Sequence, residues 1–131
     1  MRISTLAAIF GLSASACAGE SAPGAEALIN AAIADIDSHR AMMTRVSIPA
    51  GLTLPRHYHP TEEYLYVAKG STILRIEGEA DRVLNMGMAA RIPAKAVHTA
   101  LTKDSEAEVI VFRIHPNGQP VRIPVKDTNH D

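Results

Sequence analysis

Gly51-Leu52-Thr53-Leu54-Pro55-Arg56-His57-Tyr58-His59-Pro60-Thr61-Glu62-Glu63-Tyr64-Leu65-Tyr66-Val67-Ala68-Lys69-Gly70 is the stretch on which the reading of this chain turns. His57 and His59 occupy alternate positions, and in an extended strand residues i and i+2 point to one face. The two imidazoles therefore project side by side, with Tyr58 turned away. Pro60-Thr61 supplies a bend, and Glu63 opens the apolar run that continues to Val67. If the chain folds back at that bend, two imidazoles and a carboxylate converge from two neighbouring strands. Such a set offers borderline and hard donors without a thiolate, and suits a divalent transition metal. A His-x-His pair standing alone is commonly two surface residues of a strand. Here glycines at 51 and 70 close the stretch at both ends.

A second segment, Gly87-x5-Pro93-x4-His98, follows after sixteen residues. With Gly51-x5-His57-x-His59-x3-Glu63-x6-Gly70, it makes the chain resemble the cupin superfamily. The first motif matches the family pattern at all five defining positions, and the second keeps Gly87, Pro93 and His98. It departs at Lys95, where the family has glycine, at Met88, where aspartate is common, and at Thr102, where asparagine is common. None of these is a ligand position. A residue other than glycine resists positive φ, so Lys95 predicts a differently built turn before His98.

The resemblance implies an all-β fold, an antiparallel double-stranded β-helix or jelly-roll barrel. It implies one divalent transition metal (Fe, Mn, Ni, Cu or Zn) held by His57, His59, Glu63 and His98. Four ligands on a six-coordinate ion leave about two positions open, the mark of a reactive rather than a closed site. Relatives with this ligand set include dioxygenases, oxalate-degrading enzymes, isomerases and lyases. The expected function is therefore a metal-dependent enzyme, oxygenase-type or related, acting on a small organic molecule. The alternative is a non-catalytic small-molecule-binding module. The resemblance fixes a site and not a reaction, and no catalytic acid, base or nucleophile is assigned. Arg91, Arg113 and His115 flank expected strands, where they either orient an anionic substrate or sit on the surface.

The chain has 131 residues, 47% apolar, with no tryptophan and a formal net charge of −1. One domain with a core of Val, Ile, Leu, Met and Ala is expected. No basic block interleaved with aromatics points to nucleic acid. Residues 1–18 read as a bacterial-style export signal: Met1-Arg2, then apolar Leu6 to Leu12, then small residues to Ala18. The apolar run is too short to span a bilayer. The expected destination is the periplasm or the exterior. Cys17, the single cysteine, supports an alternative, a lipoprotein anchored through it. In either case the exported domain has no intramolecular disulfide.

Residues 19–41 are expected to form a linker and a short helix, because Ile29, Ile33 and Ile36 fall at helical spacing between Ala25 and Ile36. From Met42 the period becomes two. Strands are predicted at Met42–Ile48, Leu52–His57, Glu63–Ala68, Thr72–Glu77, Arg82–Leu84, Ala89–Ile92, Val97–Leu101 and Glu108–Ile114, separated by Gly-, Pro- and Asn-containing turns. The barrel is placed at 42–115 and a C-terminal extension, wrapping the surface or fraying, at 116–131. Glu63, Leu65 and Val67 share a face, which sets the carboxylate in line with the core. Tyr64 and Tyr66 then face outward with Ile73, either as a homodimer patch or as ordinary strand residues.

Overall fold

The computed structural model describes residues 24–126. The segment read as an export signal, Cys17 included, lies outside the described residues. Strands follow one another as β1 (Ala25–Ile33), β2 (Ile36–Ile48), β3 (His57–Tyr58), β4 (Glu63–Lys69), β5 (Ser71–Ile76), β6 (Arg82–Asn85), β7 (Ala89–Ile92), β8 (His98–Leu101), β9 (Ala107–Pro116) and β10 (Ile123–Pro124). They form two antiparallel five-stranded sheets, ordered β1-β2-β9-β4-β7 and β10-β3-β8-β5-β6. Among the described residues no helix is long and apolar enough to cross a membrane.

The helix expected between Ala25 and Ile36 is a strand hairpin instead. β1 pairs along its length with β2, from Ala25 opposite Val46 to Ile33 opposite Ile36. The reversal falls at Ala34-Asp35, and Asp35 takes φ 62°, the left-handed conformation that aspartate tolerates better than most residues. Alanine fits either state. The long partner strand β2 therefore decides the outcome, as tertiary pairing overrides weak local preference. Paired strands accordingly begin at Ala25 rather than Met42, and β10 adds pairing beyond 115.

The apolar faces of the two sheets meet in one core. Ile48, Leu65, Val67, Ile92, Val109 and Val111 come from the first sheet, and Leu74, Ile76 and Leu84 from the second. The alternation expected from Glu63 holds: Glu63, Leu65 and Val67 are buried, while Tyr64 and Tyr66 are 44% and 49% exposed. Ile73 does not join the tyrosines, because β5 belongs to the other sheet. Their outer-face neighbours are Phe112 opposite Tyr64 and Ile110 opposite Tyr66. Gly70 ends β4 at φ 70°, where a Cβ would lie 2.1 Å from the Glu106 carbonyl oxygen. Only glycine fits there.

Candidate metal centre

β3 and β8 lie side by side with His57 directly opposite His98, and His59 follows just past β3. Pro60 and Thr61 form the expected bend. They carry the chain across to the other sheet rather than into a hairpin, since β4 lies between β9 and β7. The imidazoles and the carboxylate thus converge across the interior from facing sheets, not from neighbouring strands. His57, His59, His98 and Glu63 are all buried. Ring centroids lie 4.9 Å apart for His57 and His59, 4.4 Å for His57 and His98, and 5.3 Å for His59 and His98. One ring nitrogen from each histidine falls within 4.8 Å of the others, so the three can hold a metal ion.

Backbone carbonyls set the rings. His57 Nδ1 lies 2.8 Å from the Pro55 oxygen and His98 Nδ1 2.9 Å from the Ala96 oxygen, each two residues back. His59 Nδ1 bonds the Val121 oxygen of the C-terminal segment. A carbonyl can only accept, so each Nδ1 carries the hydrogen and each Nε2 keeps its lone pair. Second partners of this kind fix the tautomer of metal-binding histidines. Burial pushes His57 down to about 3, against the opposing bond to Pro55 and with help from His98 and Arg122. Burial likewise lowers His98. Both rings are held neutral, the form a metal requires.

Glu63 faces this cluster from β4. Its Oε2 accepts from Arg113 Nε and Nη2, each at 2.7 Å, and stands 3.1 Å from His59 Nε2. Burial works against the carboxylate's charge, but the Arg113 guanidinium, and a hydrogen bond from His59 whenever Nε2 carries a proton, outweigh it and hold the group down at about 2. With the His59 hydrogen already given to Val121, the Nε2 lone pair and the carboxylate oxygen confront each other. His59 Nε2 is a buried nitrogen without a hydrogen-bond partner. A proton or a metal ion between the two atoms removes that repulsion, so the residues present fit a cation.

Of the residues expected to orient a substrate, Arg91 points outward to Glu62. Arg113 and His115 point inward from β9, both buried. The Nε2–H of His115 donates to the Gln119 oxygen at 2.9 Å, and its buried Nδ1 has no partner. Arg40 of β2 stands opposite His115, and Met42 opposite Arg113. The expected linker and helix at 19–41 cover Arg40 and give it no role; strict alternation back from buried Ile48 places it inward. The carbonyls of Pro55, Ala96 and Val121 carry no side-chain signal at all.

Lys95 does not rebuild the turn before His98. It adopts φ 63°, the conformation a glycine would take, and its N–H donates to the His59 oxygen at 2.9 Å. Thr102 is buried and donates to the Pro49 oxygen at 2.5 Å, tying down the strand end.

The sequence profile described as the cupin domain matches residues 44–115. The chain belongs to the cupin family. It is 31% identical over 68 residues to the 3-hydroxyanthranilate 3,4-dioxygenase of Mycosarcoma maydis, a match covering 49% of this chain and 38% of that enzyme. Among solved structures it is similar to the DMSP lyase DddQ from Ruegeria pomeroyi, with TM-score 0.59, 25% identity, and coverage of 72% of this chain and 47% of the lyase. An oxalate oxidase bound to the substrate analogue glycolate matches with TM-score 0.57, 28% identity, and coverage of 65% and 46%. A cupin-like protein of Thermotoga maritima shares the fold, with TM-score 0.63, 21% identity, and coverage of 79% and 77%. The chain spans less than half the length of these three enzymes.

Proposed function

We propose that this protein is an exported, metal-dependent cupin enzyme, oxygenase-type or related, acting on a small organic molecule. The observation that carries this reading is the convergence of three buried imidazoles, each offering one ring nitrogen, with the Glu63 carboxylate beside them. In this reading His57, His59, His98 and Glu63 hold one divalent ion of Fe, Mn, Ni, Cu or Zn. Such an ion supplies Lewis acidity, or redox chemistry where it is a redox metal, at its open positions. The chain's own part is to fix the rings through Pro55, Ala96 and Val121, to hold Glu63 anionic through Arg113, and to exclude bulk water. The names of the enzymes it resembles, a dioxygenase, a lyase and an oxalate oxidase, support small-molecule chemistry.

A second reading is a non-catalytic binding module. The pairing of Glu63 with Arg113, which satisfies the carboxylate without a metal, favours it. Export rests on residues 1–18, with a lipid anchor at Cys17 as the variant form. Self-association rests on the apolar outer face around Tyr64, Tyr66, Ile110 and Phe112. The test is metal analysis and intact mass of protein recovered from its own compartment, followed by oxygen uptake with candidate substrates. A stoichiometric redox metal with substrate-dependent oxygen uptake supports the enzyme. Full-length chain retained in the cytoplasm overturns export.

A further inference from the structure

The inward face of the first sheet carries more positive charge than its one carboxylate can offset. Arg113 is committed to Glu63 through two bonds to one oxygen, so that pair is neutral. Arg40, on the same face one step further along the strands, has no carboxylate partner among the described residues, and its Nε is buried without an acceptor. Directly opposite, His115 is 2% exposed and its Nδ1 also lacks a partner. Three neutral imidazoles do nothing to offset a dication. A loaded centre therefore keeps its full double charge after Glu63 and Arg113 cancel, with the half-buried Arg40, its Nε lacking an acceptor, on the same sheet face. Buried charge of one sign is costly until it is paired.

We propose that the open side of the centre takes a small carboxylate, with Arg40 and the unpartnered nitrogen of His115 forming its outer subsite and Arg113 conserving the positive balance by neutralising Glu63. This rests on the metal-centre reading above and names the substrate class for it. The carboxylate meets the cation at one end. At the other it accepts from the Arg40 Nε–H, which has no other acceptor. A hydroxyl beside the carboxylate has a place as well, since His115 Nδ1, its ring hydrogen given to Gln119, can only accept. Arg113 is here a positioning residue, because it acts through Glu63.

The experiment uses the full chain loaded with Co(II), whose absorption spectrum reports a change of ligand. Acetate and acetamide share size and shape and differ in charge. Acetate is expected to perturb the spectrum at a concentration at least ~10-fold below acetamide, a difference of about 1.4 kcal/mol. Arg40→Met strands no buried partner and touches none of the four ligands. It is expected to weaken acetate by about tenfold and acetamide by less, while Co(II) binding is retained or tightened because a like charge is gone. Arg113→Lys, which keeps the charge, is expected to retain the preference for acetate. Arg113→Met combined with Glu63→Gln removes both charges together and is expected to retain it too. Acetate binding no tighter than acetamide, or as tightly to Arg40→Met as to the parent, overturns the inference and leaves the metal centre standing. A parent chain that takes up no Co(II) overturns the metal centre itself.

Discussion

Arg113 directs both Nε and Nη2 at a single oxygen of Glu63, and both residues are buried. The interior therefore holds an ion pair that is complete without metal. Breaking such a pair from one side leaves an uncompensated buried charge, which typically costs ~3–5 kcal/mol. Arg113→Met is expected to destabilise the metal-free protein by that amount in urea unfolding. Saturating divalent metal should restore part of the loss, because the cation takes over the electrostatic role of the guanidinium. A cost below ~1 kcal/mol, the worth of an exposed pair, would show that the pair is not dry.

The three rings make equivalent contributions of one lone pair each, so His57→Ala and His98→Ala should weaken metal binding alike. Loss of a direct donor should exceed the ~10–100-fold typical of losing a partner behind the ligand. Glu63→Gln keeps the shape and one oxygen but removes the charge facing the dication, so binding should weaken, and the protein should also lose stability because Arg113 is left buried without its counter-charge. Tyr58→Phe, on the other face of β3, serves as the control. Competition against a chelator measures all four. Parent-like affinity in both histidine variants would refute the centre.

Acid should act on the fold before it acts on the folded site. Burial lowers His57 from 6.5 to about 3 and lowers His98 as well, so both stay neutral when folded. Below pH 6.5 the unfolded chain binds protons there that the folded chain does not. Stability is then present above that pH and lost as pH falls, at up to about 1.4 kcal/mol per unit for each ring. Glu63, lowered from 4.5 to about 2, adds a second loss below pH 4.5. Urea midpoints of metal-free protein should drop between pH 7 and 5. Metal affinity of the folded chain should persist below the window that free histidine would set. A flat midpoint over that range would show that neither ring is held neutral.

Lys95 offers a gain rather than a loss. At φ 63° a Cβ is strained, by roughly 1–2 kcal/mol, whereas the N–H bond to His59 belongs to the backbone and survives substitution. Lys95→Gly is expected to stabilise the protein by a few tenths to about 1 kcal/mol, since the added freedom of the unfolded chain offsets part of the relief. Thermal unfolding measures it; a clear destabilisation would mean that the lysine side chain has a role of its own.

Much of the site was legible because strand alternation is rigid. It set His57 beside His59, turned Tyr58 away, and aligned Glu63 with Leu65 and Val67. What escaped was set by partners remote in sequence. The stretch from Ala25 to Ile36 carries isoleucines at helical intervals, yet its fate was decided by pairing with Met42, Met43 and Thr44 across the hairpin. Ile73 was grouped with the tyrosines because a period of two reports faces and not sheets. Arg40 was passed over because a polar residue near a strand's start looks solvated. Lys95 was expected to avoid positive φ, but the backbone bond to His59 holds it there.

His59 owes the orientation of its ring to Val121, 62 residues further along the chain. The same closing segment ties to β3 through Ile123 and Tyr58, Pro124 and His57, and the Val125 N–H to the Arg56 oxygen. During synthesis, which runs from the N-terminus, every one of the four ligands emerges before the residue that locks His59. A polypeptide that has not yet reached Val121 therefore carries the donors without the geometry. An ion bound at this site would thus be taken up only after the 121–125 segment has docked on β3, from the supply of the compartment where that docking happens.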